Sequence, residues 1–213
     1  MTMTRELFLA ILSLDSYNRG YGSGVPGLSD AIGTQIGTAT IAATPEDVDK
    51  ARAAGFYGIS YTVGSGVEDI AAGTTVITYR GTDNFTPNET SGASDITQGW
   101  VASLGVPTGQ VRMALDFYTA ASGNSIYDGA QSDVILTGHS LGGGLAGIVS
   151  SLSHTQGLGF DHMPFGAITA LLAAANNIMP QLSQFDGIYT TGEALQFVRN
   201  GSAQVLSGLV LSK

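Results

Sequence analysis

The sequence predicts a single-domain α/β fold in which a mostly parallel sheet is flanked by helices. Its 213 residues suit one domain with a sizeable core, and we assign residues 1–213 to it because no internal repeat or linker is evident. Patterns typical of strands and of amphipathic helices follow one another along the chain. At residues 133–147 an apolar strand runs into a glycine-rich turn and then a helix of small residues. That order is typical of open α/β sheets.

The N-terminal part of the chain predicts two helices and three strands. Leu7, Ile11, Leu14 and Tyr17 recur at helical spacing and predict the first helix. Residues 44–47 predict the start of the second, with a capping Thr, a Pro in the first turn and acids near its positive end. The predicted elements are a helix at 4–18, a loop at 20–37, a strand at 36–42, a helix from 44 to 55, and strands at 56–63 and 74–79.

The remainder of the chain predicts helices and strands in alternation. An apolar face formed by Val111, Ala114, Leu115 and Tyr118 marks an amphipathic helix that leads into the next strand. The predicted elements are a helix at 108–122, a strand at 134–136, a turn at 138–142 followed by a helix, a strand at 157–161, a helix at 165–177, a strand at 185–191 and a helix beginning within 193–199.

The predicted turn contains the sequence Gly-His-Ser-Leu-Gly at residues 138–142, which fits the motif G-x-S-x-G. A serine on a sharp strand-to-helix turn is strained, and glycine two residues to either side avoids a clash. The 30 glycines of the chain make chance matches common, so the flanking strand and helix supply the specificity. We therefore predict that Ser140 is a nucleophile and that helix N–H groups face the reaction centre.

Two motifs in order resemble the class 3 lipase family of the α/β-hydrolase fold. The first is Val-Ile-Thr-Tyr-Arg-Gly-Thr-Asp at residues 76–83, and the second is Leu-Thr-Gly-His-Ser-Leu-Gly-Gly at residues 136–143. The resemblance covers roughly residues 50 to 200. It implies a serine carboxylic-ester hydrolase, with an oxyanion hole formed by the backbone N–H groups of Thr82 and Leu141. Since Arg80 follows the predicted strand at 74–79, we expect it to form a structural ion pair that ties the following loop to the sheet rather than to contact substrate.

A serine nucleophile needs a base, and an acid usually orients that base. In α/β-hydrolases the order along the chain is Ser, acid, His. Glu193 follows the predicted strand at 185–191 and lies at the same edge of the sheet as Ser140, in a segment that resembles the family's strand-Gly-Asp run. Asp186 competes, but it begins that strand and so lies towards the opposite edge. We predict that Glu193 is the acid.

The base is harder to assign, because no histidine follows Glu193. His139 lies inside the motif with its side chain directed away from Ser140, and His154 ends the following helix. Two explanations remain open. Either the chain lacks its C-terminal strand, helix and catalytic histidine, or His162, which follows the predicted strand at 157–161, acts as the base with Asp161 or Glu193 as its acid.

Composition limits the partners of the protein. The formal charge of −9 argues against nucleic acid and favours a neutral over an anionic substrate. The resemblance implies that this substrate is a neutral acyl ester or lipid. The sequence contains no cysteine, and neither a metal nor another cofactor is implied. In class 3 lipases the stretch matching residues 84–105 carries a lid, and Trp100 would be either part of a lipid-contacting face or part of the core.

No run is long enough for a transmembrane helix, and the apolar run at 7–14 does not form a convincing signal peptide because acids flank it. A secretion signal outside this chain stays open. We expect a lipase or esterase that acts through an acyl-enzyme. The alternative is a pseudo-enzyme or binding module that keeps the scaffold without a working triad.

Overall fold

The sheet forms the middle layer of the molecule. The computed structural model describes residues 2–21, 35–81 and 109–191, and within these ranges seven strands lie side by side in chain order. They are β1 (Gln35–Ile36), β2 (Ala39–Ala43), β3 (Gly58–Val63), β4 (Thr75–Tyr79), β5 (Val134–His139), β6 (Gly157–Phe160) and β7 (Phe185–Ile188). Strands β1 to β4 pair antiparallel, and β4 to β7 pair parallel. The predicted α/β class, a sheet flanked by helices, is confirmed.

Helices flank the sheet on both faces. They are α1 (Arg5–Asp15) with a following 3-10 turn (Ser16–Asn18), α2 (Val48–Ala53), α3 (Gly109–Ser122), α4 (Leu141–Ser153) and α5 (Gly166–Asn176), with a second 3-10 turn at Leu182–Gln184. In the described ranges, no helix combines the length and the apolar character needed to cross a bilayer.

Several element boundaries differ from the predictions: β5 runs to His139 instead of residue 136, and β7 ends at Ile188 instead of residue 191. Two further differences have local reasons. Helix α2 begins three residues later than expected, because the Asp47 carboxylate, rather than Thr44, accepts the cap hydrogen bond from Lys50 N at 2.8 Å. The predicted strand at 36–42 is a hairpin instead. Gly37 has a φ of 57°, so the chain reverses there and splits the segment into β1 and β2. The helix predicted within 193–199 lies outside the described residues.

Each face of the sheet has its own core, because side chains alternate along every strand. On β5, Val134 and Leu136 face helices α3 and α4, whereas Ile135 faces α1. Helix α1 contributes Phe8, Leu9 and Leu12, all buried, to the second core. The three-layer arrangement leaves the carboxyl ends of the parallel strands at one edge of the sheet.

Candidate active site

Ser140 lies at the turn between β5 and α4, at the carboxyl edge of the parallel strands. Its backbone has φ 55° and ψ −124°, a combination that costs on the order of 1–3 kcal/mol for a residue with a side chain. Ordinary hydrogen bonds hold it there: Ser140 N donates to Phe160 O at 3.0 Å, and Ser140 O accepts from Met163 N at 3.0 Å and from Gly144 N at 3.1 Å. The half-buried side chain makes no cap hydrogen bond to α4.

The glycines around Ser140 are required by close backbone packing. A Cβ on Gly142 would overlap the carbonyl oxygen of Tyr79 at the end of β4. A Cβ on Gly138 would lie 2.6 Å from the carbonyl oxygen of Gly142. Gly138 therefore packs against the backbone of Gly142, and Gly142 packs against the end of β4, so neither position has room for a side chain.

Gly81 brings the chain beyond β4 against the same turn. A Cβ on Gly81 would overlap the Tyr17 hydroxyl and would lie 2.6 Å from the carbonyl oxygen of His139 and 3.2 Å from Ser140 Cβ. The backbone at Gly81 thus lies beside Ser140. The next residue, Thr82, is outside the described part of the chain, so its proposed oxyanion role stays a prediction.

Leu141 is the first residue of α4, and its side chain is buried. The first four N–H groups of a helix have no intrahelical acceptor, and the helix dipole adds positive potential at this end. The N–H of Leu141 belongs to this group and follows Ser140 directly. The second oxyanion donor predicted from the sequence is therefore at the end of α4 that could stabilise a negative charge.

His139, the residue before Ser140, is bonded to the segment after α1. The Tyr17 hydroxyl lies 2.9 Å from His139 Nδ1, and the two rings pack edge to face with centroids 5.8 Å apart. Burial lowers the pKa of His139, and the carboxylate of Asp161 acts in the opposite direction. His139 is thus neutral near pH 7 and bonded on the α1 face of the sheet, and the predicted direction of its side chain away from Ser140 stays a prediction.

His162 is enclosed, with 8% of its surface exposed, and both of its ring nitrogens have partners. Nδ1 donates to the carbonyl oxygen of Met163 at 2.9 Å, since a carbonyl can only accept. In the neutral ring Nε2 then carries the lone pair and accepts from the Tyr189 hydroxyl at 2.5 Å. This tautomer is the one that a general base needs, but Tyr189 already uses the accepting nitrogen.

Glycines and aromatic rings form the walls around His162. A Cβ on Gly143 would lie 2.6 Å from His162 Cβ, and a Cβ on Gly187 would lie 2.8 Å from His162 Nε2. The rings of Phe165 and Phe185 each lie 5.3 Å from the imidazole, measured between centroids. Helix α4 and strand β7 therefore approach His162 as closely as their backbones allow.

Neither His154 nor Asp186 lies at the sheet edge that carries Ser140. His154 ends α4, so it lies at the far end of that helix from Ser140, and its Nε2 bonds to Met179 O at 2.7 Å. Asp186 is exposed near the start of β7 and pairs with Leu158 in the middle of β6. It therefore lies inside the sheet, about two residues away from the carboxyl edge that carries Ser140. Glu193 is outside the described residues.

Asp161 supplies a carboxylate at the edge itself. It adopts a φ of 44°, and its oxygens accept hydrogen bonds from Thr190 N at 2.6 Å and from Thr190 Oγ1 at 2.9 Å. These bonds fasten the loop after β6 to the end of β7. In the described ranges, no group of three or more histidine, aspartate and glutamate side chains is arranged to hold a metal ion.

A family model decides the class of protein. The model of the Tle-like phospholipase domain, a phospholipase-like family, matches residues 9–212. The chain belongs to this family. Membership supports a lipase-like hydrolase that acts on lipid esters, and the finer resemblance to class 3 lipases stays a prediction.

Comparisons with solved structures and with curated sequences add no further information about function. The chain is similar to the extracellular lipase LipA from Serratia marcescens, with 16% identity and a TM-score of 0.32. The match covers 63% of this chain and 22% of the lipase, so this chain spans about a fifth of the lipase's length. No curated protein sequence matches the chain.

Arg80 has a structural position in this phospholipase-like domain, in contact with two aromatic rings and a backbone carbonyl, and the predicted ion pair to the following loop stays a prediction. Its guanidinium lies 3.9 Å from the centre of the Tyr21 ring and 4.9 Å from that of Tyr57, and it donates to Arg19 O at 3.2 Å. The side chain is 2% exposed. Arg80 therefore joins the end of β4 to the segment after α1 rather than pointing into a substrate site.

Sequence reasoning missed the two tyrosines that bond the histidines at this edge. Tyr17 matched the apolar stripe of the first helix, and Tyr189 matched the alternating pattern of a strand. Neither pattern reports where the hydroxyl lies. The one general guide is that the hydroxyl of a partly buried tyrosine usually has a hydrogen-bond partner, and this guide does not identify the partner. The predicted lid at 84–105, including Trp100, lies outside the described residues.

Proposed function

We propose that this domain hydrolyses ester bonds of phospholipids or related neutral acyl lipids through an acyl-enzyme on Ser140. The observation that carries the proposal is the strained backbone of Ser140 at the turn between β5 and α4. Backbone strain of this kind persists only where the surroundings impose it, and it clusters at functional sites. Here the backbone hydrogen bonds of Ser140 hold it, and Gly81, Gly138 and Gly142 allow the surrounding backbone to pack closely.

The proposed reaction has two steps. Ser140 Oγ attacks the ester carbonyl carbon while a base takes the hydroxyl proton, and the resulting oxyanion is held by N–H groups. The C–O bond to the alcohol then breaks, and the base returns the proton to the leaving alcohol. A water molecule repeats the sequence on the acyl-enzyme and releases the fatty acid. The N–H of Leu141, at the positive end of α4, is one proposed oxyanion donor, and the N–H of Thr82 is the other.

For the base we propose His162, and for the acid Glu193, which would replace the Met163 carbonyl as the acceptor of the Nδ1 proton when it orients the imidazole. The protonated Nδ1 and unprotonated Nε2 of His162 support this assignment, because a general base must offer a lone pair at Nε2. To accept the proton of Ser140, Nε2 has to exchange the Tyr189 hydroxyl for the serine hydroxyl. If His162 is the base, replacing it abolishes turnover even in a chain that stays folded, whereas full turnover without it means that another group is the base.

The hydrogen bonds of His162 favour lipid binding without hydrolysis as a second candidate function. Since both of its ring nitrogens already have partners, a domain that binds lipid without cleaving it would keep the arrangement unchanged. Such a pseudo-enzyme would not react with an active-site-directed phosphonate.

Hydrolysis assays distinguish the two functions. We would compare the wild-type chain with Ser140→Ala on a short-chain nitrophenyl ester and on phosphatidylcholine in mixed micelles. The exposed Ser183 supplies the control Ser183→Ala. The proposal expects about a 10⁴-fold or larger loss of kcat in Ser140→Ala and none in the control. Equal turnover by the wild type and Ser140→Ala would exclude Ser140 as the nucleophile.

A further inference from the structure

Two hydrogen bonds hold α1 and its 3-10 turn on β5. Ser13 Oγ lies 3.0 Å from Thr137 Oγ1, and Tyr17 OH lies 2.9 Å from His139 Nδ1. Ser13 and Tyr17 are four residues apart, a rise of about 6 Å along a helix, and Thr137 and His139 are two residues apart, about 6.6 Å along a strand. Because the two spacings are nearly equal, both bonds can form at once. The second bond ends at the residue directly before Ser140.

The Tyr17 hydroxyl contacts both backbone segments that meet at Ser140. It packs against Gly81 so closely that any side chain there would overlap it. It also bonds the ring of His139, whose carbonyl oxygen lies against the same glycine. One hydroxyl group therefore fixes the spacing between the end of β4 and the peptide that leads into Ser140.

The direction of the Tyr17 bond follows from the state of His139. Burial lowers the pKa of His139, so the ring is neutral near pH 7, whereas a tyrosine hydroxyl ordinarily keeps its proton up to about pH 10. A neutral imidazole offers a lone pair on one nitrogen. We assign the hydroxyl of Tyr17 as the donor and Nδ1 as the acceptor, which leaves the ring proton on Nε2.

We propose that Tyr17 is a positioning residue of the Ser140 site that acts through His139. The inference rests on the proposed function, because it gives Tyr17 a role only if Ser140 reacts. A strained serine is productive only while its neighbours fix its orientation, and misplacement of a reacting group by a fraction of an ångström slows the chemical step. Loss of the Tyr17 hydroxyl releases the His139 ring and relaxes the peptide before Ser140.

The test is the variant Tyr17→Phe, measured on the nitrophenyl ester and by the rate of phosphonate labelling of Ser140. Loss of one hydrogen bond predicts about a tenfold decrease in kcat, with KM within about twofold of the wild type. The labelling rate should decrease by the same factor, since labelling also requires an oriented Ser140. A structural defect alone would lower the active fraction without slowing the labelling of the molecules that remain folded.

Ser13→Ala is the matched control, because it removes the neighbouring bond between α1 and β5 without touching His139. We expect its kcat to stay within about twofold of the wild type. A double-mutant cycle adds a second readout: in a His139→Ala background, Tyr17→Phe should produce no further decrease.

Three results would overturn the inference. They are a wild-type kcat in Tyr17→Phe, an equal decrease in Ser13→Ala, and a full tenfold effect of Tyr17→Phe in the His139→Ala background. Undiminished turnover in Ser140→Ala is a different failure. It would remove the proposed function, and with it the site that Tyr17 positions.

Discussion

Two histidines lie at the carboxyl ends of neighbouring strands, and each is bonded to a tyrosine hydroxyl. His139 ends β5 and bonds Tyr17 through Nδ1, whereas His162 follows β6 and bonds Tyr189 through Nε2. The first pair lies on the α1 face of the sheet. The second pair lies against α4 and β7, on the opposite face, within walls formed by glycines.

The difference concerns which nitrogen holds the lone pair. In His162 the bond from Nδ1 to a backbone carbonyl leaves the lone pair on Nε2, as a general base requires. In His139 the lone pair on Nδ1 is directed at the Tyr17 hydroxyl on the α1 face, which already occupies it. Distance along the chain is therefore a poor guide to role: His139 adjoins the serine and positions it, while His162, 22 residues further on, has the tautomer for proton transfer.

The largest effect on stability should come from filling the glycine wall of His162. Gly143→Val places a branched side chain where even a Cβ lies 2.6 Å from His162 Cβ. We expect the free energy of unfolding to decrease by about 3 kcal/mol, with loss of esterase activity. Chemical denaturation and the nitrophenyl assay measure the two quantities.

Gly144→Ala is the control on the same helix. Its Cβ would meet Met163 atoms at 3.3 Å, a contact that small shifts can relieve, and alanine favours the helix by about 1 kcal/mol. The unfolding free energy should change by less than about 1 kcal/mol. Equal destabilisation by both substitutions would show that the wall of His162 is not closely packed.

Removing the Tyr189 hydroxyl should have a smaller and more informative effect. Tyr189→Phe loses one hydrogen bond, which predicts a decrease of about 1 kcal/mol in the unfolding free energy. If His162 is the base, kcat should stay constant or rise, because Nε2 is released from a competing partner. His162→Gln keeps a polar side chain of similar size but should lose turnover.

The paired result decides the role of His162. Full activity in His162→Gln would exclude it as the base, and loss of activity in Tyr189→Phe would mean that Tyr189 assists the reaction instead of competing with it. Thermal denaturation of both variants confirms that each remains folded during the assay.

The smallest effect should be in the pH dependence of stability, and it concerns His139. Burial places the pKa of His139 in the folded protein below its value of about 6.5 in the unfolded chain. Between these two values the unfolded state binds the additional proton, so stability is present above about pH 6.5 and is lost as the pH falls.

His139→Asn keeps an acceptor for Tyr17 but cannot titrate. Its unfolding free energy should therefore vary less than that of the wild type between about pH 7 and pH 5. Urea denaturation across this range measures both. Parallel curves for the two proteins would mean that His139 is not held neutral by burial.

The sequence predicted the layered fold and the location of the serine because both depend on local patterns. Alternation along β5 and β4, the apolar stripe of α3 and the spacing of glycines around Ser140 are features of short segments. These local patterns can be recognised in the sequence without knowledge of tertiary contacts.

The rest of the site depends on pairings between distant residues. Tyr17 and His139 are 122 positions apart, and Tyr189 and His162 are 27 apart. No periodic pattern marks either pair, since a tyrosine on an apolar stripe looks the same whether or not its hydroxyl is bonded. The cap of α2 was assigned to Thr44 instead of Asp47 for a related reason: both residue types cap helices, and only the path of the backbone selects one.

The most direct test of the account is covalent labelling of Ser140. We would incubate the folded chain with a fluorophosphonate, measure its intact mass and map the modified peptide, with Ser140→Ala alongside. The account predicts a single adduct on Ser140 in the wild type and none in the variant, because only a serine next to a base and an oxyanion site reacts readily. A folded wild-type chain that stays unmodified, or an adduct that persists in Ser140→Ala, would contradict it.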